Sequence, residues 1–518
     1  MRIDRAKNAS RNIMFGVLLK LYQVICPFII RTAMIYLLGM EYVGLNSLFN
    51  SILQVLNLTE LGVGTAMVFS MYKPIADEDH DKISKLMELY KVYYRIIGFI
   101  IAVIGLAITP IIPKLISGDS QIPLNIYYLY WINLGYTVLS YWLFAYKNSI
   151  LQAHQRNDII SKITLVANTA TYLIQFSLLI LFKNYYLYLL GMLFGQALNN
   201  IITSIIADRM YPQYKAKGKL SIKEIKEINQ RVKDLFTSKI GGVIQNSVDT
   251  IVISAFLGLT LLAKYNNYYY IMNSLFGFII ILFNSCLAGI GNSLVVESKD
   301  KNYQDFKKIS LLTEWLAGFC SCCLLCLYQP FMKLWVGEKN TLEIGVVICI
   351  AVYFYIIVTN QMLCLYKDAA GIWHKDRYRP LVTALVNLSL NLASVKLLGL
   401  YGVVLSTVIS MLFVGMPWLI HNLFSEVFNR SSVEFVKSFV YYALTTVVAC
   451  TVTFYINTNI NDSGLITLVI KILICLIVPN TIILCIFCRN KDFSAALQLV
   501  NKTFGNIIQK IPMLKKYL

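Results

Sequence analysis

Charge is scarce in this chain. Only 14% of its 518 residues are Asp, Glu, Lys or Arg, and the 27 acidic residues are outnumbered by 46 basic ones. A soluble globular chain carries about a quarter charged residues, so the composition argues against a soluble domain. Histidine is scarcer still, with only His80, His154, His374 and His421, all expected at the cytoplasmic ends of apolar runs or in loops. No Gly-Lys-Ser/Thr phosphate loop is present, which removes direct ATP coupling. The segments expected outside the membrane are short, whereas catalytic groups are usually carried by elaborated loops. These absences predict a protein that is not an enzyme and has no cofactor.

Cysteine is present, twelve in all, but every one falls within or at the end of an apolar run. The densest group, Cys320, Cys322, Cys323 and Cys326, has no histidine or carboxylate beside it. It reads as buried small hydrophobes, neither a metal site nor a disulfide framework.

Hydrophobic residues make up 57% of the chain and come in long runs. About 18 or more consecutive apolar residues are enough to cross the hydrocarbon core as a helix. Such runs fall near 12–38, 43–71, 86–112, 124–146, 158–182, 185–207, 240–257, 266–296, 309–329, 343–366, 380–397, 400–423, 438–456 and 465–488. The expected class is an all-α integral membrane protein with about fourteen transmembrane helices. The opening stretch, MRIDRAKNASRN and the run after it, is too long and lacks the small-residue cleavage site of a secretory signal, so it is expected to remain as the first span.

With the N-terminus inside, alternate loops on the cytoplasmic side hold 36 Lys and Arg residues and those outside hold 6. This bias predicts cytoplasmic N- and C-termini. It also accounts for the net charge of +19 as topology signals rather than as a phosphate-tracking groove, so no nucleic-acid partner is expected.

The chain also repeats itself. YKNSILQAH at 146–154 is echoed by YKDAAGIWH at 366–374, and PKLISGD at 113–119 by PFMKLWVGE at 330–338. Leu38-Gly39, after the first span, pairs with Leu257-Gly258 after the seventh at an offset of 219. Each copy would hold six spans, an even number, so both copies have the same orientation. Parallel repeats of this kind are related by an axis along the membrane normal, with substrate sites at the repeat interface. The expected organisation is a six-helix lobe at 1–215, a basic linker at 216–239 and a second six-helix lobe at 240–436. An additional helix pair follows at 437–488, then a basic tail at 489–518.

Ionisable residues inside spans are costly and mark candidate sites. Lys20 and Arg31 lie within the first span, eleven residues apart. That is close to three turns, which puts both on one face, about 16 Å apart along the axis at 1.5 Å per residue. Pro27 lies near the same stripe and is a candidate hinge. Such a helix suits an anionic substrate; the alternative is that Lys20 snorkels to the inner interface and Arg31 to the outer one. Arg95 is a further candidate contact. The seventh span carries Gln245, Asn246 and Asp249. The first two are candidate substrate contacts. Asp249 falls one residue from the repeat-mate of Arg31, and it either pairs with a cation, couples a proton or sodium, or serves a polar patch that holds helices together.

RTAMIYLLGMEYVGLNSLFNSILQVLNLTELGVGTA followed by MYKPIA closely resembles the opening of bacterial polysaccharide transporters, the lipid-linked oligosaccharide flippases. They belong to the multidrug/oligosaccharidyl-lipid/polysaccharide exporter superfamily, with the multidrug and toxin extrusion antiporters and the lipid II flippases. NSVDTIVISAFLGL and YNNYYYI resemble the start of that family's second lobe. The resemblance implies two six-helix bundles in a V around a cavity that opens alternately to each side. It implies a polyprenyl-pyrophosphate-linked oligosaccharide as substrate, flipped to the outer leaflet of the bacterial cytoplasmic membrane for surface polysaccharide biosynthesis. Membrane lipids, a glycan polymerase and glycosyltransferases are the implied partners. Arg31 and Lys20 fall where the family's pyrophosphate-receiving cations are expected. One rival reading is an ion-coupled multidrug or cation antiporter of the same superfamily, which would favour buried carboxylates such as Asp249 and Glu60. The other is a membrane glycan polymerase or ligase, which would need a long external loop.

Overall fold

The computed structural model describes residues 5–60, 62–118, 122–461, 464–488 and 491–503. Among them every regular element is helical, the outcome expected where backbone groups must be satisfied within each segment. The contacts divide the chain into two units, Met1–Ala263 and Lys264–Leu518.

The first unit contains α1 (Arg5–Leu37), α2 (Met40–Leu56), α3 (Val63–Ala76), α4 (His80–Ile108) and α5 (Ile126–Trp142). These are followed by α6 (Asn148–Ala153), α7 (Asn157–Phe182), α8 (Tyr185–Met210) and α9 (Ile222–Leu257). Capping residues set several starts. Asp79 accepts from the Lys82 N–H, and Asn125 and Asn184 open α5 and α8 in the same way. Ser221 and Glu224 form a reciprocal capping box at the head of α9. From that box α9 runs unbroken for 36 residues, so the basic segment at 222–239 is continuous with the span Ile240–Leu257.

α9 packs on α2 and α3 and against the turns at 109–115. The Ser254 hydroxyl donates to the Leu115 carbonyl at 2.6 Å, and the Ser117 N–H donates to the Ser254 carbonyl at 3.0 Å. Gly44 of α2 lies so close to this end that a Cβ there would sit 2.2 Å from the Leu259 carbonyl oxygen.

α10 (Leu259–Val296) starts at the edge of the first unit and continues into the second. The second unit then holds α11 (Lys299–Val336), α12 (Ile344–Ala369), α13 (Trp373–Asp376), α14 (Arg379–Leu398) and α15 (Leu400–Ser410). α15 continues through a π-turn at Met411–Gly415 into α16 (Met416–Leu423), followed by α17 (Val433–Thr458), α18 (Leu465–Phe487) and α19 (Lys491–Thr503). The rest of the expected tail at 489–518 lies outside the described residues.

α11 is the centre of the second unit, packed by α12, α17, α18 and α19. Phe306 and Phe428 fill its N-terminal end, and the Cys320–Cys326 group meets Cys450 and Cys475 further along. All twelve cysteines are free, and no set of three or more His, Cys, Asp or Glu capable of holding a metal occurs among the described residues.

Among the described residues, thirteen helical segments are long and apolar enough to cross a membrane. The fourth expected span is the one without such a segment. It is α5, 17 residues long, which stops at Trp142 where Phe144 enters the left-handed region at φ 55°. The result is an all-α, multi-span membrane protein of about fourteen helices. The paired repeat positions share local geometry: Gly39 has φ 114° and ψ 168°, and Gly258 has φ 87° and ψ 168°. The first and seventh spans thus end in the same backbone conformation, one that disfavours any residue with a Cβ.

Candidate functional site

α1 has two unlike faces. Leu18, Ile25, Ile29 and Tyr36 are all exposed, and their spacing puts them on one stripe, apolar like a lipid-facing surface. At about 100° per residue, Lys20 and Arg31 lie on the opposite side, on the arc that carries the buried Met34 and Ile35. Both cations are half-buried.

α7 and α2 are the neighbours of α1. The Tyr22 hydroxyl donates to Thr169 Oγ1 at 2.7 Å and fixes the register against α7. Arg31 interacts electrostatically with the buried Tyr188 of α8, whose carbonyl accepts from Gln175 Nε2 at 3.4 Å. α1 remains helical through Pro27.

The remaining expected residues lie on other elements of the same unit. Arg95 is exposed on α4, where its backbone carbonyl accepts from Trp142 Nε1 at 3.1 Å. Gln245 is half-buried and Asp249 is buried on α9, beside Ser247, which donates to Gln54 Oε1 of α2 at 3.3 Å. The side chain of Asn246 lies outside the described residues. α1 therefore brings Lys20 and Arg31 onto one face, while Arg95, Gln245 and Asp249 are carried by α4 and α9.

A second polar feature of this unit contains one residue already singled out, Glu60, and otherwise none of the expected site residues. A cavity of about 310 Å³ is lined by Glu60, Tyr94, Tyr141, Asn148, Gln196 and Asn199, with Ser140, Asn200 and Thr203 completing its polar wall. The Tyr94 hydroxyl donates to Glu60 Oε1 at 3.4 Å, and Gln196 Nε2 donates to Asn200 Oδ1 at 3.1 Å. Asn200 Nδ2 reaches the Ser140 carbonyl at 3.2 Å. Two amide oxygens, Asn148 Oδ1 and Asn199 Oδ1, are buried without a hydrogen-bond partner. Amides, hydroxyls and tyrosine rings around one carboxylate are the groups that recognise a hydroxyl-rich ligand. Spacing gives a signal for it, since Gln196, Asn199, Asn200 and Thr203 recur at the three- and four-residue intervals of one face of α8.

Outside the spans, the electrostatics are local. Ser221 and the Lys82 ammonium, 2.8 Å from Glu224, hold the Glu224 carboxyl down at about 2, the Lys82 hydrogen bond being the larger cause. Burial pushes the His154 imidazole below its usual range, and its Nδ1 lies 2.9 Å from the Ile150 carbonyl. That geometry gives His154 a turn-holding contact between α6 and α7.

A multi-span, all-helical membrane fold is the class these features define. It is similar to that of a lipid II flippase, MurJ, in an inward closed conformation, with a TM-score of 0.72, 16% identity, and coverage of 92% of this chain and 99% of that one. An inward-facing multidrug resistance MATE family transporter matches with a TM-score of 0.58, 13% identity, and 79% and 98% coverage. The MATE transporter VcmN of Vibrio cholerae, in a mutant form, matches at 0.54, 13% identity, and 82% and 99% coverage. No curated protein matches the chain by sequence. The model of the family described as "Polysaccharide biosynthesis protein" matches residues 9–287, more than half of the chain. The chain belongs to that family.

Proposed function

We propose that this protein is a flippase that carries a polyprenyl-pyrophosphate-linked oligosaccharide from the cytoplasmic to the outer leaflet of a bacterial cytoplasmic membrane, by alternating access, for surface polysaccharide. Lys20 and Arg31 carry the reading: two cations share the face of α1 that turns away from its exposed apolar stripe. A pyrophosphate leaving water needs fixed donors in place of its hydration shell. A guanidinium supplies two parallel charge-assisted hydrogen bonds, and an ammonium supplies a mobile point charge. In this reading Lys20 makes the first contact from the cytoplasmic side and Arg31 receives the pyrophosphate deeper in. The amide- and tyrosine-lined cavity of the same unit supplies hydrogen bonds suited to sugar hydroxyls. Arg95, Gln245 and Asn246 are further substrate contacts, Pro27 is the hinge of α1, and Asp249 is the coupling carboxylate for a proton or sodium.

The assay is delivery of lipid-linked glycan to the outer leaflet, or surface polysaccharide in a strain lacking the gene, with insertion measured in parallel. Arg31→Ala is expected to cost about 2–5 kcal/mol of binding, the range for removing one partner of a buried charge pair. Arg31→Lys retains the charge but loses the fork, so it falls between. Full surface glycan from well-inserted Arg31→Ala and Lys20→Ala proteins would refute the headgroup role and leave the snorkelling reading. A drug or cation antiporter would instead tolerate both substitutions and fail with Glu60→Gln.

A further inference from the structure

The most isolated acidic group in the described chain lies in the second unit, on α11. Glu314 is 1% exposed, and neither of its carboxylate oxygens makes a hydrogen bond. It lies 15 residues into a 38-residue helix, about 22 Å from its start at 1.5 Å per residue. The groups around it are neutral. Tyr355 and Thr359 of α12 face it. Thr359 has its hydroxyl committed to the Tyr355 carbonyl at 3.0 Å, and the Tyr355 hydroxyl is buried with no hydrogen bond of its own.

From α17 come Thr446 and Tyr442, both in reach of Tyr355. Gly318, one turn beyond Glu314, permits this close approach, since a Cβ there would lie 2.5 Å from Thr446 Oγ1. α18 offers the neutral Asn480, which accepts from Trp315 Nε1 at 2.9 Å, and α19 offers apolar Phe493, Ala496 and Leu497 nearby. The nearest cations along α11 have other partners: Lys307 bonds Glu434 and Lys308 bonds Asp305.

An ionised carboxylate without a partner cannot be held in such a place at tolerable cost, and the group neutralises instead. A hard metal cation would need a shell of about six oxygens, whereas this site offers one carboxylate and a few hydroxyls. A proton needs only one oxygen.

We propose that Glu314 is a proton-binding site of the second unit. It takes one proton from water onto a carboxylate oxygen, forming a neutral acid when α11, α12 and α17 are closed around it. It returns that proton to water when they part during transport. The exchange rests on the transport reading above; the proton site itself does not.

The test uses infrared spectroscopy on the full chain in lipid, together with the outer-leaflet assay. At neutral pH the wild type should show the carbonyl band of a buried protonated carboxylic acid. Glu314→Gln should lack it, and Glu314→Asp, which guards against a Gln variant that does not fold, should retain it at a shifted frequency. Delivery by Glu314→Gln should lose its dependence on pH while Glu314→Asp keeps it. The same band in wild type and Glu314→Gln would overturn the site, as would its removal by sodium at constant pH. An unchanged pH profile in well-inserted Glu314→Gln would overturn the exchange. A Glu314 band in a wild type that delivers no lipid-linked glycan would uphold the site and sink the flippase reading instead.

Discussion

Arg31 in the first unit and Glu314 in the second are both ionisable groups on helices built for an apolar environment, and they are accommodated in opposite ways. Arg31 is half-buried on a helix with one open side, and it interacts electrostatically with the buried Tyr188. Glu314 is sealed on every side by α11, α12 and α17, with only hydroxyls for company. A guanidinium cannot shed its charge, so it needs polar neighbours or room to reach water. A carboxyl can be neutralised by a proton and can therefore tolerate a dry site. The two positions thus offer different chemistry: a permanent positive charge at Arg31, and at Glu314 a carboxyl that a proton can neutralise.

Leucine substitutions give the sharpest test of this contrast. Glu314→Leu removes a polar group that makes no hydrogen bond, so it should raise stability by about 1–3 kcal/mol. Arg31→Leu should give no such gain. Thermal unfolding in detergent measures both, and a clear loss of stability in Glu314→Leu would mean the carboxyl is structurally paired after all.

A smaller or equal effect is expected at Gly44, where α2 meets the turn between α9 and α10. A methyl at 2.2 Å from a backbone oxygen must push helix against helix, and overpacking of this kind costs about 1–3 kcal/mol. If Gly44→Ala melts like the wild type, the first unit is looser there than its contacts indicate.

The smallest effect belongs to the Lys82–Glu224 pair. Because the folded carboxyl titrates near 2 rather than at its ordinary value of 4.5, its contribution is fully present above about pH 4.5. It is lost as pH falls from there toward 2. Glu224→Gln should therefore flatten the acid limb of first-unit unfolding in that window and leave neutral pH almost unchanged; both side chains are a third or more exposed, so solvent screens the pair.

Much of the fold was legible because membrane burial writes itself into composition. The apolar runs and the breaks at Gly39 and Gly258 follow directly from hydrophobicity and from glycine's access to positive φ. α5 was the hard case, since a helix of 17 residues reads as part of a longer apolar run until Phe144 turns it. The capping box at Ser221 and Glu224 was in plain view as S-x-x-E, yet a stretch rich in lysine reads as a linker until its continuity with the next span is seen.

Lys20 and Arg31 could be found because two cations in one apolar run stand out. Glu314 could not. It sits close after Lys307 and Lys308 and beside Trp315, a pattern that belongs to an interface, and only the packing of α12 and α17 shows how deeply it is enclosed. The polar cavity escaped for another reason: its wall is gathered from several helices, and the polar face of α8 that contributes Gln196, Asn199, Asn200 and Thr203 carries no charge to mark it within an apolar run.

α9 has a mechanical meaning as well. Its 36 residues form one rod, about 54 Å at 1.5 Å per residue, against a hydrocarbon thickness of about 30 Å. Nearly half of it therefore projects beyond the bilayer as a handle, anchored to α4 through the Lys82–Glu224 contact. A stiff rod does not absorb a push at one end. A protein that gripped the lysine-rich end would tilt the far end too, where Ser254 holds Leu115 and Gly44 leaves no slack.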